Sequence, residues 1–219
     1  MNSTSRPLRF ILLTLAVTLV WNTGNSLFGT GWISAAIISQ GLFGVYAYYA
    51  IRYRDPVFIR TFILAAAAGW VELLADYYLV HTTGTLLYPH EGPFVSASPL
   101  YMPFAWTLVL TQLGYIGWWL FNRYNLVIAS ICSAILVGIN IPYYEWAAHS
   151  AKWWYYHNTP MLGSVVPWYI ILGETLVGLA LPFLVSRSAK SHWMWSAVNG
   201  LLLGLWIWVS CFISITITG

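Results

Sequence analysis

Charge is scarce in this sequence. Asp, Glu, Lys and Arg make up 7% of its 219 residues, where a soluble globular domain carries about 25%, so water is excluded as the main solvent of the fold. Disordered and collagen-like chains can also be poor in charge, but 14 Trp, 15 Tyr and 10 Phe with no glycine period contradict both. Cysteine is scarcer still. Cys132 and Cys211 both fall in apolar runs, form neither a CxxC pair nor a disulfide framework, and read as small packing residues. The sequence has no soluble linker, low-complexity tract or convincing repeat, which leaves one transmembrane domain over residues 1–219, with its chemistry inside the bundle or on the loops.

What fills the chain instead is hydrophobic, at 59% of residues and a mean hydropathy of +0.70. Seven stretches are long enough to cross a bilayer, at about 20 residues per crossing: 8–28, 32–51, 57–80, 99–121, 125–148, 166–186 and 193–216. Arg6 and Arg9 before the run Phe10–Trp21 imitate a signal peptide, yet Asn22-Thr23-Gly24 is a poor cleavage site, so the segment is expected to remain as a first helix. Eight of the nine Lys and Arg then fall at one end of the spans and only Lys152 at the other. The expected fold is an all-α bundle of seven transmembrane helices in the plasma (inner) membrane, amino terminus cytoplasmic and carboxyl terminus outside. Orienting charges account for the net charge of +3, so no nucleic-acid partner follows from it. Ala65 to Gly69 and the Gly200-xxx-Gly204 pair read as small-residue packing surfaces. Asn22-Thr23-Gly24-Asn25-Ser26 interrupts the first span with polar groups that must face protein or water.

Five of the six carboxylates, Glu72, Asp76, Glu91, Glu145 and Glu174, fall in the outer half or outer loops; Asp55 alone is cytoplasmic. Glu72 and Glu174 each lie about 12 Å inside their spans from the outer face, at 1.5 Å per residue, and Asp76 shares a helix face with Glu72 at i+4. Asn140, Glu145 and His149 add a third polar face. An ionisable group at membrane depth costs at least about 2.5–3.5 kcal/mol, so retention for function is the leading expectation; the alternative is that these groups hydrogen-bond Trp, Tyr and Asn and glue the helices together. Two long outer segments, His81 to Pro93 and Lys152 to Pro160, would roof the cavity. The run Trp153-Trp154-Tyr155-Tyr156 is either a headgroup-level aromatic belt or a lid whose ring faces stabilise a cation.

The chemistry narrows by elimination. Five histidines, at 81, 90, 149, 157 and 192, contain no HxxxH or HxxHH pair, which makes a His-rich di-iron site improbable on sequence grounds. A single metal on Glu72, Asp76, His81 and Glu145 or Glu174 is the weaker alternative to a metal-free, cofactor-free site. No G-x-S-x-G serine, phosphate-binding glycine loop or retinal-holding lysine exists, Lys152 and Lys190 both lying outside the spans. What remains is acid–base chemistry on an apolar substrate, because a carboxyl in a low-dielectric site can stay protonated near neutral pH and act as a general acid.

The stretch from Glu72 through Asp76-Tyr77-Tyr78 and His81-Thr82-Thr83-Gly84 to Tyr88 resembles membrane carotenoid hydratases of the bisanhydrobacterioruberin and gamma-carotene type, in which a glutamate precedes a V-x-T-G element and a tyrosine. The stretch from Trp153 to Glu174 is loosely similar as well, and integral membrane terpene cyclases are similar in size and in using two buried acids. The extra Thr in His81-Thr82-Thr83-Gly84, together with Asp76 and Glu174, departs from the hydratase pattern. The resemblance implies hydration or cyclisation of a polyprenyl substrate. The expected function is protonation of a lipid-soluble isoprenoid to a cyclised, hydrated or isomerised product. Glu72 is the expected acid, Asp76 its partner, Glu174 the opposing carboxylate, and Glu145 and His149 support proton transfer. Substrate contacts are expected from Trp70, Asn22, Asn25, His81, Tyr88, Asn140, Trp153, Trp154 and Tyr155. The rival is a non-enzymatic transporter, small-ligand binder or scaffold subunit with an acidic outer pocket. A lipid-soluble small molecule and membrane lipids are the expected partners; the oligomeric state stays open.

Overall fold

A backbone in lipid must satisfy its own hydrogen bonds, and an apolar run does so by coiling into a helix. The computed structural model describes residues 5–219, and each apolar stretch is a helix: α1 Ser5–Phe28, α2 Trp32–Tyr53, α3 Pro56–Thr82, α4 Met102–Arg123, α5 Leu126–Ala151, α6 Trp168–Ala189 and α7 Trp193–Thr218. Among the described residues, these seven helices are long and apolar enough to cross a membrane. Local sequence sets their ends. Asp55 caps α3 by accepting from Phe58 N at 2.8 Å, with Pro56 in the first turn, and Asn125 caps α5 by accepting from Ile128 N at 2.9 Å.

The polar stretch of α1 does not interrupt it. Thr23 Oγ1 donates to Leu19 O at 2.8 Å, Asn25 Nδ2 to Trp21 O at 2.8 Å and Ser26 Oγ to Thr23 O at 2.7 Å, so short side chains return to their own helix's carbonyls and the helix runs on to Phe28.

Helices α3 to α7 form the packed body, with α1 laid mainly on α5 and α2 mainly on α4. Small residues permit the closest approach, as expected. A Cβ on Gly200 would meet the Leu64 carbonyl and Ala67, and one on Gly204 would meet Val71 and the Ala68 carbonyl, which locks α7 onto α3. Gly200→Val is expected to cost about 1–3 kcal/mol by overpacking, read as a lower thermal midpoint in detergent. Gly44→Val, where an added Cβ meets nothing within 4 Å, serves as the control and leaves the midpoint unchanged.

The connections differ sharply between the two ends. At the end carrying the arginines, α2–α3, α4–α5 and α6–α7 join by tight turns, and Arg60 Nη1 donates to Ala189 O across the first and last of these. At the opposite end, residues 83–101 and 152–167 carry short strands: β1 Leu86–Leu87, β2 Phe94–Val95, β3 Ser98–Pro99, β4 Tyr155–Tyr156, β5 Met161–Leu162 and β6 Val166–Pro167. β2–β3 and β5–β6 are local hairpins, while β1 pairs antiparallel with β4, Leu86 opposite Tyr156 and Leu87 opposite Tyr155. His157 N adds a bond to Thr85 O at 3.0 Å. The two segments are therefore stitched into one roof, a pairing that the sequence reading did not anticipate.

Candidate active site

Beneath the roof lies a cavity of about 150 Å³. Helix α3 supplies its first two acids through an irregular stretch. The Glu72 carbonyl accepts from both Ala75 N at 2.7 Å and Asp76 N at 3.3 Å, a tightened turn, and the helix then widens into a π turn over Tyr78–Thr82 with Thr83 N bonded to Tyr78 O at 3.0 Å. Such interruptions concentrate at functional sites. Glu72, Ala75, Asp76 and Leu79 all face the cavity, as a 3.6-residue period requires.

The four acids that the sequence reading placed within the spans come together here. Glu72 and Asp76 from α3, Glu145 from α5 and Glu174 from α6 all line the cavity. Asp76 Oδ2 accepts from Tyr88 Oη at 2.7 Å and from Ser98 Oγ at 2.6 Å, and Glu145 Oε2 accepts from Trp154 Nε1 at 2.7 Å. Glu72 is 2% exposed, lies against Asp76 and the Trp106 indole, and has an Oε2 with no hydrogen-bond partner. Glu174 keeps more accessible surface, and it too borders the cavity. Among the described residues, no Lys, Arg or His lines the space, so no cation neutralises the acids. Nor is any group of three or more His, Cys, Asp or Glu among them arranged to hold a metal ion.

Aromatic rings close the space above and below. Trp153 bonds Ser34 Oγ at 2.8 Å through its indole N–H, and Trp154 sits edge-on to Tyr88 with centroids 6.4 Å apart. Burial, with the Asp76 and Glu72 carboxyls beside it, pushes the Tyr88 hydroxyl well above the usual phenol range; burial and then Glu145 do the same for Tyr156. Both stay protonated donors at physiological pH. Towards the arginine-bearing end, Phe10 stacks on Tyr49 at 4.0 Å amid buried Tyr46, Phe58 and Tyr115, a plug of rings below the cavity.

Of the expected contacts, Asn22, Tyr88, Trp153 and Trp154 line the cavity, and the others do not. Trp70 is 48% exposed, because two residues from Glu72 is more than half a turn around α3. His81 is exposed for the same reason, nine positions on from Glu72, and its ring rests on Tyr77. Asn25 turns back to its own helix and accepts from Thr30 Oγ1 at 2.8 Å. Asn140, five positions before Glu145, is rotated off its face and half-buried. The chain reverses at Lys152 and brings Trp153 and Trp154 over the cavity, which leaves His149 exposed against Tyr155, edge to face at 5.2 Å. Tyr155 points away because side chains alternate along β4, and Tyr156 takes the inward position. The sequence reading also missed Trp106, Gln112, Tyr144, Tyr169 and Ser98. Gln112 carried a usable signal, as the one amide inside an otherwise apolar fourth stretch.

No curated protein and no solved structure matches the chain. A family model does match over residues 73–218, a span that takes in Asp76, both roof segments, Glu145 and Glu174, and the chain belongs to that family, described as a domain of unknown function (DUF6989).

Proposed function

We propose that the chain is a multi-pass protein of the plasma (inner) membrane with a cytoplasmic amino terminus, and that its cavity protonates a lipid-soluble isoprenoid to give a cyclised, hydrated or isomerised product. The membrane reading is supported by the bundle's surface, where side chains such as Val20, Ile51 and Ile139 are more than 70% exposed with no polar cover. The orientation is supported by eight of nine basic residues at one end.

The observation that carries the enzymatic reading is Glu72, a carboxyl 2% exposed with a free oxygen, inside a cation-free cavity walled by indole and phenol rings. Protonating a carbon–carbon double bond needs a proton donor, few competing water molecules, and π faces for the carbocation that forms. In this scheme Glu72 donates, Asp76, held by Tyr88 and Ser98, positions it, and Glu174 or Glu145 takes a proton back or orients water. No metal or cofactor enters the scheme. The roof above and the ring plug below bound the cavity, an arrangement that lacks the polar route from both sides that a carrier needs.

The test is isotopic. Purified protein reconstituted in lipid made up in D2O is expected to convert a polyprenyl substrate into product carrying deuterium on carbon, read by mass spectrometry. Product without carbon-bound deuterium, or no conversion across acyclic isoprenoid alcohols, hydrocarbons and carotenoids, overturns the reading.

A further inference from the structure

The cavity has a second chemical character away from its acids. Thr18 and Asn22 of α1, Ser39 of α2 and Gln112 of α4, none of them ionisable, also line it. Thr18 Oγ1 already donates to Thr14 O at 2.9 Å and Ser39 Oγ to Ala35 O at 2.7 Å, so these hydroxyls need nothing more. Asn22 and Gln112 differ. They are 2% and 1% exposed, yet Asn22 Oδ1 and both amide atoms of Gln112 have no hydrogen-bond partner, the Tyr46 hydroxyl beside Gln112 being paired instead with Thr14 Oγ1 at 2.6 Å. A buried amide left unpaired is costly, and three such atoms bordering one cavity point to a ligand that pairs them.

Helix register fixes how far this part lies from Glu72. An added Cβ on Gly69 of α3 would meet Pro103 O and Thr107, and one on Gly114 of α4 would meet Thr61. These antiparallel contacts bring Glu72 level with Met102, and Gln112 then lies about 15 Å nearer the plugged end, at 1.5 Å per residue. The cavity is a slot with acids at one end and Gln112 at the other, and Asn22, eight residues along α1 from the Thr14 that bonds Tyr46 beside Gln112, lies between them.

We propose that Asn22 and Gln112 form a subsite for the hydroxyl of an isoprenoid alcohol whose hydrocarbon chain runs up to the acids. This rests on the acid–base reading and names its substrate class. A hydroxyl both donates and accepts, so it serves either end of each amide; a ketone or ether leaves an amide oxygen unpaired. A diphosphate is refused, because four carboxyls and no cation line the slot. A pure hydrocarbon fits but leaves the amides unpaired.

Binding without turnover tests this. Farnesol, β-farnesene and farnesyl diphosphate are titrated against the detergent-purified chain, with quenching of cavity tryptophan fluorescence as the readout. Farnesol is expected to bind about tenfold tighter than farnesene, the worth of one to two neutral hydrogen bonds, and the diphosphate weakest. The double variant Asn22→Leu/Gln112→Met is expected to bring farnesol and farnesene within about twofold of each other, without lowering the thermal midpoint, since it removes unpaired buried groups. Each single variant, which covers a double variant that does not fold, loses about threefold of the preference. Equal binding of alcohol and hydrocarbon by the native chain, a preference that survives both substitutions, or tighter binding of the diphosphate each overturns the proposal. Because Glu72→Gln is expected to keep the farnesol preference, an inactive protein that still prefers farnesol through these amides sinks the acid–base reading and leaves the subsite standing.

Discussion

Glu72→Gln is expected to lower the rate of product formation by about 10²–10⁴-fold, the usual contribution of a positioned general acid, while the protein extracts and unfolds like the native chain. The substitution isolates chemistry from packing. Gln fills the same volume, and Glu72 Oε2 has no hydrogen-bond partner to lose, so the change removes the transferable proton and little else. Glu174→Gln is expected to give a comparable loss, since it leaves no opposing carboxylate in α6 to receive a proton. If the acids only glue helices together, both variants keep full activity, and the mechanism falls. The thermal midpoint must be read alongside product, because a helix-gluing acid would show itself there instead.

How much of this was legible in the sequence follows from the range of the interactions involved. Seven helices could be counted because each is announced locally, by a long apolar run ended by charge or by Gly and Pro. Glu72 and Asp76 could be paired because an i, i+4 relation is a property of one helix. Trp70 was misassigned by proximity in sequence, although the same helical period places it on the opposite face, so the period had to be applied to every neighbour. Tyr156 and Ser98 were out of reach: the first faces inward because β4 pairs with β1 from a distant loop, and the second meets Asp76 only after the 83–101 segment folds back. Trp106 and Tyr169 look like any other aromatic in an apolar run, and only the packing of α4 and α6 against α3 gives them a role. Site residues carried by one helix were thus readable, while those delivered by pairing between loops were not.

Asp76→Leu is expected to unfasten the roof. Its Oδ2 is the acceptor for both Tyr88 and Ser98, at 2.7 and 2.6 Å, and these residues belong to the segment that covers the cavity. Leu is close to Asp in size but accepts nothing, so two buried hydroxyls lose their partner at about 1–3 kcal/mol each, or about 2–6 kcal/mol together. Tyr88→Phe and Ser98→Ala each remove one bond and leave the other, so each costs less than Asp76→Leu. The strain is transmitted further, because Tyr88 packs edge-on to Trp154, whose indole holds Glu145. Trypsin reports the opening directly. Lys152 is exposed, but the bond that follows it is guarded by Trp153, 4% exposed and tied through its backbone N–H to Ala148 O at 2.9 Å. Cleavage after Lys152 in detergent is expected to be slow in the native chain, fastest in Asp76→Leu and intermediate in Tyr88→Phe and Ser98→Ala. Restoring acceptor and donor balance in the triple variant Asp76→Leu/Tyr88→Phe/Ser98→Ala should slow cleavage again relative to Asp76→Leu alone, because no buried hydroxyl is then left without an acceptor. Equal cleavage rates across the series would mean that the roof is held by strand pairing and aromatic packing, with Asp76 free for chemistry alone.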